Sequence, residues 1–262
     1  MPILRNDRDR ERERKRQVEL QEVLQEEVQP KISAEIERAA DGAADEYEKT
    51  GGLGSAFVAV RHALAFDRIL TRHYRNVVTA FGSMTFNTLT KHFRKFEVKE
   101  SRDTFQILAE SWILEHALEQ SNIIAKTTQE DIAAVLLSAQ REGLGSREIA
   151  RMIRDKVGGQ IGKIRAETIA ITETHNAATF ANLTSATILD EDLDLGLRKE
   201  WLSVKDGRSR TTHKIVNGQK RDMNKPFQVG GENLMRPGDP RGSGKNIIRC
   251  RCVMGYVTKE DQ

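Results

Sequence analysis

The sequence contains few cysteines, prolines and aromatic residues, and it lacks any long apolar run. Its 262 residues include two cysteines, five prolines and 5% aromatic side chains. Two cysteines cannot build a disulfide framework, so a cytoplasmic setting is the default expectation. The lack of about 18 consecutive apolar residues excludes a membrane-spanning helix. The charged residues that directly follow Leu4 argue against a secretory signal peptide.

Charge is distributed unevenly along the chain. The net charge is +3, but residues 201–262 carry 13 basic and 6 acidic side chains, whereas residues 1–50 carry 10 basic and 14 acidic ones. The C-terminal quarter is therefore a basic module attached to a nearly neutral body. Such a module contacts nucleic acid or an acidic protein surface, or is simply solvated.

Residues 1–50 predict a charged N-terminal segment followed by an amphipathic helix. No apolar side chain occurs in residues 5–16, so we expect this stretch to be disordered or a fully solvated helical extension. Apolar residues then recur every four positions, which predicts one stripe on a helix that breaks or bends near Pro30. The stripe needs a partner, either the rest of this chain or another subunit. Its members are Leu20, Leu24, Val28, Ile32 and Ile36.

Residues 51–190 predict a region of long helices. Apolar spacing favours one helix from Ala56 to about Lys99 and a second that holds residues 105–118. Two shorter helices should follow, starting at Thr128 and at Ser146, because both positions resemble N-caps. A last helix should run from about Gly162 to Leu189.

The pattern changes to short apolar runs and turns in residues 191–262. The Asn217-Gly218 pair between short runs predicts a hairpin, and residues 246–257 predict a strand. The module has few large apolar residues, so a metal or a packing partner would help to stabilise it. The predicted fold class is mainly α: an extended helical N-terminal region followed by a small, loop-rich α+β C-terminal module.

Cys250 and Cys252 are candidate metal ligands. Residues i and i+2 of a strand point to the same face, so two thiolates there can share one soft metal ion such as zinc. His213 is the first candidate for a further ligand, with Asp206 or His175 behind it. The alternative is a pair of small buried thiols that pack as apolar groups.

A second group of candidates follows Trp201, which we interpret as a core residue. Asp206, Arg208, Arg210 and His213 either form an acid/base or phosphate-contacting cluster or belong to a turn. In that turn Asp206 bonds its own backbone and the arginines are solvated. Glu173, on the preceding helix, is a candidate partner for Arg208 or Arg210.

The ordered set of motifs resembles the Mu F-like minor head (head morphogenesis) proteins of tailed bacteriophages. Thr172-Glu173-Thr174 lies on a long helix and is followed by the Trp201-to-His213 motif. A Pro-rich turn and a closing Cys250-Arg251-Cys252 complete the set, which covers residues 145–258. Arg249 stands where that family usually has asparagine. The positions that match the structural motif are Glu173, Trp201, Asp206, Arg208, Arg210, His213, Gly218 and Pro237.

The resemblance implies a structural protein without an enzymatic role. Such a protein is made in the host cytoplasm with portal, capsid or scaffold proteins and is packaged in several copies inside the head near the portal. It aids capsid assembly or DNA delivery.

Contact with phage DNA would be non-specific and directed at the backbone, because no feature of the sequence indicates base-edge readout. The candidate contacts are Lys205, Lys214, Lys220, Arg221, Arg241, Lys245 and Arg249. Two alternatives use Asp206, His213, Cys250 and Cys252: a metal-dependent hydrolase or nuclease, and a DNA-binding zinc module.

Overall fold

The computed structural model describes residues 3–95 and 97–258. Over these residues the chain is mainly helical with five short strands, which confirms the predicted fold class. No described helix is both long enough and apolar enough to cross a membrane. The α-helices are α1 (Asp7–Thr50), α2 (Ala63–Phe93), α3 (Lys99–Arg141), α4 (Ser146–Met152), α5 (Gly162–Leu193), α6 (Thr211–Val216) and α7 (Gly244–Ile247). A 3-10 helix (Leu53–His62) precedes α2, and a π-helix (Ile153–Ile161) joins α4 to α5. The strands are β1 (Leu197–Leu202), β2 (Lys220–Asp222), β3 (Phe227–Val229), β4 (Glu232–Leu234) and β5 (Val253–Thr258).

The long helices are fewer and less interrupted than the sequence pattern predicts. Helix α1 is not interrupted at Pro30. Helix α3 runs through Thr128, so the helix start predicted there is wrong. The Thr128 hydroxyl donates to the carbonyl oxygen of Ile124 one turn back, at 2.8 Å, as threonine does inside a helix. A capping sequence in the middle of a helix is overridden by the packing of that helix.

The described residues form two compact units, each built from discontinuous segments. One unit contains the described parts of 1–24, 74–111 and 171–262, and the other contains 25–73 and 112–170. The domain boundaries predicted near residues 50 and 190 stay a prediction.

The core of the unit formed by 25–73 and 112–170 is rich in alanine. Four alanines of α1 are fully buried among aliphatic side chains of α3 and α4. Small side chains allow helix axes to approach closely, so this core needs few aromatic residues. The alanines are Ala39, Ala40, Ala43 and Ala44.

The other unit holds the C-terminal module, which we define as residues 197–258. Strand β1 lies between β2 and β5, and all pairings are antiparallel. Strands β3 and β4 form a separate hairpin. The core of the module surrounds Trp201 and consists of Trp201, Val216, Phe227, Val229, Leu234, Cys250, Cys252 and Met254.

Two local predictions for the module are wrong. The Asn217-Gly218 turn does not close a hairpin, because the run before it is helix α6 and the turn joins that helix to β2. Gly218 adopts a φ of +79°, and its N–H donates to the carbonyl oxygen of Trp201 at 2.8 Å. The predicted strand over 246–257 begins only at Val253, so both cysteines lie in the segment that precedes β5.

The expectation that residues 5–16 are disordered or fully solvated is also wrong. Helix α1 begins at Asp7, and Glu13 and Arg14 are buried. The Arg10 guanidinium donates to both carboxylate oxygens of Glu200 in β1, at 2.7 and 2.9 Å. Composition alone cannot show that a distant strand presents a carboxylate to this charged helix.

Gln17 continues the contact between α1 and the module. Its side-chain N–H donates to the carbonyl oxygen of Met254 in β5 at 2.8 Å, and its oxygen accepts from Asn182 of α5 at 3.2 Å. The side chain is fully buried. The side-chain amide of Gln17 therefore connects α1 to both β5 and α5.

We expect Gln17→Leu to destabilise the protein by about 1–3 kcal/mol, because it leaves the Met254 carbonyl and the Asn182 amide buried without their partner. Chemical denaturation of the full chain measures the change. Glu22→Leu, at an exposed position of the same helix, is the control. Equal losses in the two variants would contradict the prediction.

Candidate functional site: the anchor on helix α5 and the histidine–thiol cluster

Helix α5 presents a row of polar side chains to the C-terminal module. They recur at helical spacing, so they share one face, and most of them are buried. Burial of so many polar groups on one helix requires specific partners. We call this row and its partners the anchor; the helix residues are Thr172, His175, Asn176, Thr179 and Asn182.

A buried arginine is the centre of the anchor. The Arg236 guanidinium donates to the carbonyl oxygen and the side-chain oxygen of Asn176, at 3.0 and 2.6 Å, and to the Thr179 hydroxyl at 2.8 Å. Burial lowers the pKa of Arg236 to about 10, so it remains charged at neutral pH. The negative charges of Asp239 and Glu173 favour that charged form.

The turn that follows Arg236 approaches α5 closely. The Thr179 hydroxyl donates to the carbonyl oxygen of Pro237 at 2.8 Å. Gly238 has a φ of +69°, and a Cβ placed there would lie 2.4 Å from Nδ1 of His175. The turn therefore requires glycine both for its backbone conformation and for the space beside His175.

His175 and Thr172 connect α5 to the segment before β5. Nε2 of His175 lies 2.6 Å from the carbonyl oxygen of Cys252. The backbone N–H of Arg249 donates to the Thr172 hydroxyl at 3.1 Å. Together with Arg236, these contacts fix both loops of the module on the helix.

The predicted motif residues are used in local contacts. Glu173 accepts a hydrogen bond from the Tyr74 hydroxyl at 2.7 Å, so the predicted pairing with Arg208 or Arg210 is wrong. Trp201 is a core residue. Arg210 donates to the carbonyl oxygen of Ile248.

Asp206 forms a turn with its own neighbours. It accepts the backbone N–H of Arg208 at 3.0 Å and pairs with Arg251. Desolvation opposes ionisation, but the hydrogen bond and charge of Arg251 outweigh it, so the pKa of Asp206 is lowered. Asp206 is not in the cluster formed by His213 and the thiols.

His213, Cys250 and Cys252 meet in the module core, and we call them the histidine–thiol cluster. Nδ1 of His213 lies 3.3 Å from Sγ of Cys252 and 3.7 Å from Sγ of Cys250. All three ligand atoms lie within 4.8 Å of one another, and all three side chains are buried. The His213 ring meets Trp201 edge-on, with ring centroids 5.6 Å apart.

The two thiols differ in acidity. Burial opposes ionisation of Cys250, but hydrogen bonds from Cys252, His175 and His213 lower its pKa. The pKa of Cys252 is raised, first by its hydrogen bond to Cys250 and then by burial. One thiolate is therefore favoured in this pair, and it lies beside an imidazole.

Sequence reasoning did not identify Lys199 as a buried residue. Its Nζ donates to the carbonyl oxygen of Met235 at 2.8 Å and lies 5.3 Å from the Phe227 ring centroid. Burial lowers the pKa of Lys199 to about 8. Strand alternation places Lys199 on the same face as Leu197 and Trp201. This alternation is the sequence signal from which its burial can be predicted.

The candidate DNA contacts fall into two groups. Lys220 and Arg221 of β2 are half-buried, and Arg241 is exposed but forms an ion pair with Asp239. The other four are exposed at the surface of the module: Lys205, Lys214, Lys245 and Arg249.

We expect Arg236→Met to destabilise the chain by about 2–4 kcal/mol, because the acceptors on Asn176 and Thr179 lose a buried charged donor. Arg208→Met, at an exposed arginine, should cost at most about 0.5 kcal/mol. Denaturant unfolding of both variants checks the difference. If Arg236→Met lowered the free energy of unfolding as little as Arg208→Met, the anchor would be energetically unimportant.

Lys199 should make stability rise with pH. The folded chain releases this proton above about pH 8, whereas the unfolded chain holds it to about pH 10.4. The unfolded state therefore binds more protons in that window, and the free energy of unfolding rises by at most about 1.4 kcal/mol per pH unit. Denaturation between pH 7.5 and about pH 10.4, compared with Lys199→Met, isolates this contribution. Lys205→Met is the exposed control, and parallel curves for wild type and Lys199→Met would refute the assignment.

The anchor and the cluster both lie in the part of the chain that matches a known protein family. Residues 130–255 match the family described as Phage Mu protein F like protein. The chain is 25% identical over 189 residues to the uncharacterized protein YqbB of Bacillus subtilis. The aligned residues cover 66% of this chain and 60% of that protein.

A second relative is the NAD(+)--arginine ADP-ribosyltransferase EFV of Enterococcus faecalis. It is 29% identical over 114 residues, which cover 43% of this chain and 22% of the transferase. The chain thus spans less than two thirds of the length of either relative. No solved structure matches the chain. The match of residues 130–255 to the Phage Mu protein F like family confirms the resemblance indicated by the motifs.

Proposed function

We propose that the protein is a structural minor head protein of a tailed bacteriophage. It lies inside the head near the portal, binds portal, capsid or scaffold proteins, and contacts packaged DNA during assembly or delivery. The observation that supports this role is the match over residues 130–255, which includes α5, the anchor and most of the module. In this region Arg236, Pro237 and His175 connect the module to α5.

The burial of the histidine–thiol cluster favours a structural role over a hydrolase or nuclease. His213, Cys250 and Cys252 are 2%, 1% and 3% exposed. A catalytic metal needs an accessible coordination position and a nearby general acid or base. Asp206, the carboxylate considered for that role, is paired with Arg251. The cluster therefore offers no access for a substrate.

The exposed lysines of the module support contact with DNA. Within the described residues, Lys205 and Lys214 form no ion pair with a carboxylate, and both are exposed. Lys245 is exposed on the short helix α7. Mobile surface lysines neutralise phosphates without reading bases, so the contact is independent of sequence.

An exposed apolar side chain beside these lysines supports contact with another protein. Ile215 of α6 is 79% exposed and directly follows Lys214. Exposed apolar side chains mark protein-interaction sites when they form a contiguous patch rimmed by polar residues. Ile248 is also exposed, and its carbonyl oxygen accepts from Arg210 at the start of α6.

We expect substitution of Lys205, Lys214 and Lys245 by alanine to weaken binding of the full chain to duplex DNA. The slope of log affinity against log salt should fall by at most about 2.7, or about 0.9 for each phosphate contact. Fluorescence anisotropy with two unrelated duplexes measures the slope and the lack of sequence preference. The control is a second triple alanine variant, which removes the same charge from exposed lysines of the other unit: Lys126, Lys156 and Lys163. An equal effect of both triple variants would refute a DNA contact centred on the module.

Composition of assembled particles tests the proposed location. The chain is co-expressed with portal, scaffold and capsid proteins from the same genome, and purified heads are analysed by mass spectrometry and electron microscopy. We expect a few copies per head, and fewer when Ile215 is replaced by Asp. Heads assembled without this protein, in the presence of a soluble folded pool of it, would contradict the proposal.

A further inference from the structure

We infer that His213, Cys250 and Cys252 form a structural Zn²⁺ site that closes the C-terminal module. The ligands come from two segments that are distant in sequence, since His213 belongs to α6 and the cysteines precede β5. The inference stands whether or not the protein works in a phage head.

The distances suit tetrahedral zinc. Zn–N bonds of about 2.0–2.1 Å and Zn–S bonds of about 2.3 Å place a ligand nitrogen about 3.6 Å from a ligand sulfur in a tetrahedron. Nδ1 of His213 lies 3.3 and 3.7 Å from the two sulfurs. One distance is slightly shorter than the tetrahedral value and the other is slightly longer. Only small movements of these side chains are needed to bind the ion.

The donor set also suits zinc chemically. Two thiolates balance the two charges of Zn²⁺, so the occupied site is neutral and is compatible with full burial. Binding releases the thiol protons to solvent and leaves the imidazole neutral. Thiolate sulfur with imidazole nitrogen is a combination typical of zinc, whereas magnesium and calcium prefer oxygen.

The surroundings of His213 point to the same nitrogen. Its Nδ1 faces the two sulfurs. Thiols are weak hydrogen-bond partners for an imidazole nitrogen, whereas a zinc ion held by both thiolates is a strong partner for Nδ1.

The backbone of Cys252 is held from outside the cluster. Nε2 of His175 lies 2.6 Å from the carbonyl oxygen of Cys252. Outer contacts of this kind keep metal ligands in position. The anchor on α5 and the metal site thus share His175.

The site is structural because it joins two segments inside the module core. In the described residues the cluster supplies three protein ligands, and all three side chains are almost fully buried. The metal joins α6 to the start of β5 across a thin core.

The metal content of the full chain tests the inference. After expression in zinc-supplemented medium, elemental analysis should give about one zinc per chain. Cys250→Ser, Cys252→Ser and His213→Ala should each lose it. His92→Asn is the control because it removes an imidazole from α2, and it should retain the metal.

Cobalt binding by the wild-type chain keeps the test independent of variant folding. Zinc is removed with a chelator and replaced by Co²⁺, which should give a tetrahedral visible spectrum with a thiolate charge-transfer band. The melting temperature should fall on removal and recover when Zn²⁺ is added. A wild-type chain that takes up neither ion and melts unchanged would overturn the inference, and so would zinc retained by the cysteine variants.

Discussion

The attachment of the C-terminal module depends on one buried cation. Arg236 enters from the module and places its charge among oxygens of α5, at Asn176 and Thr179. A charge buried to this degree is stable only when its hydrogen bonds are complete. The Pro237-Gly238 turn, the position of His175 and the Thr179 hydroxyl are all arranged around this contact. Sliding the module along the helix would break several of these bonds at once.

Other polar residues of the motif also make specific contacts within this unit. Glu173 bonds Tyr74, Asp206 closes a turn, and Arg210 holds a loop carbonyl. Each satisfies a partner that is fixed elsewhere in the same unit. A small module with a thin apolar core gains its definite structure from such directional contacts.

The sequence predicted those features that depend on local periodicity or on strand alternation. The long helices followed from apolar spacing, and the meeting of His213 with the two cysteines was anticipated, although the cysteines precede the strand. The failures concern long-range partners. Residues 5–16 were expected in solvent because nothing near them shows that Glu200 receives Arg10. The role of Arg236 is not predicted from the sequence, because its acceptors lie 57 and 60 positions away. The Asn217-Gly218 pair indicates a hairpin, but the residues before it form helix α6.

The contact of Gln17 with Met254 joins residues 237 positions apart, and this separation has a consequence for synthesis on the ribosome. The unit that contains α1 residues 7–24 cannot close until the last strand has left the exit tunnel, whereas residues 25–73 and 112–170 are available earlier. Contacts of such long range also fold slowly. Until β5 has been synthesised, the buried polar groups of this part of α1, among them Gln17, therefore lack their partners.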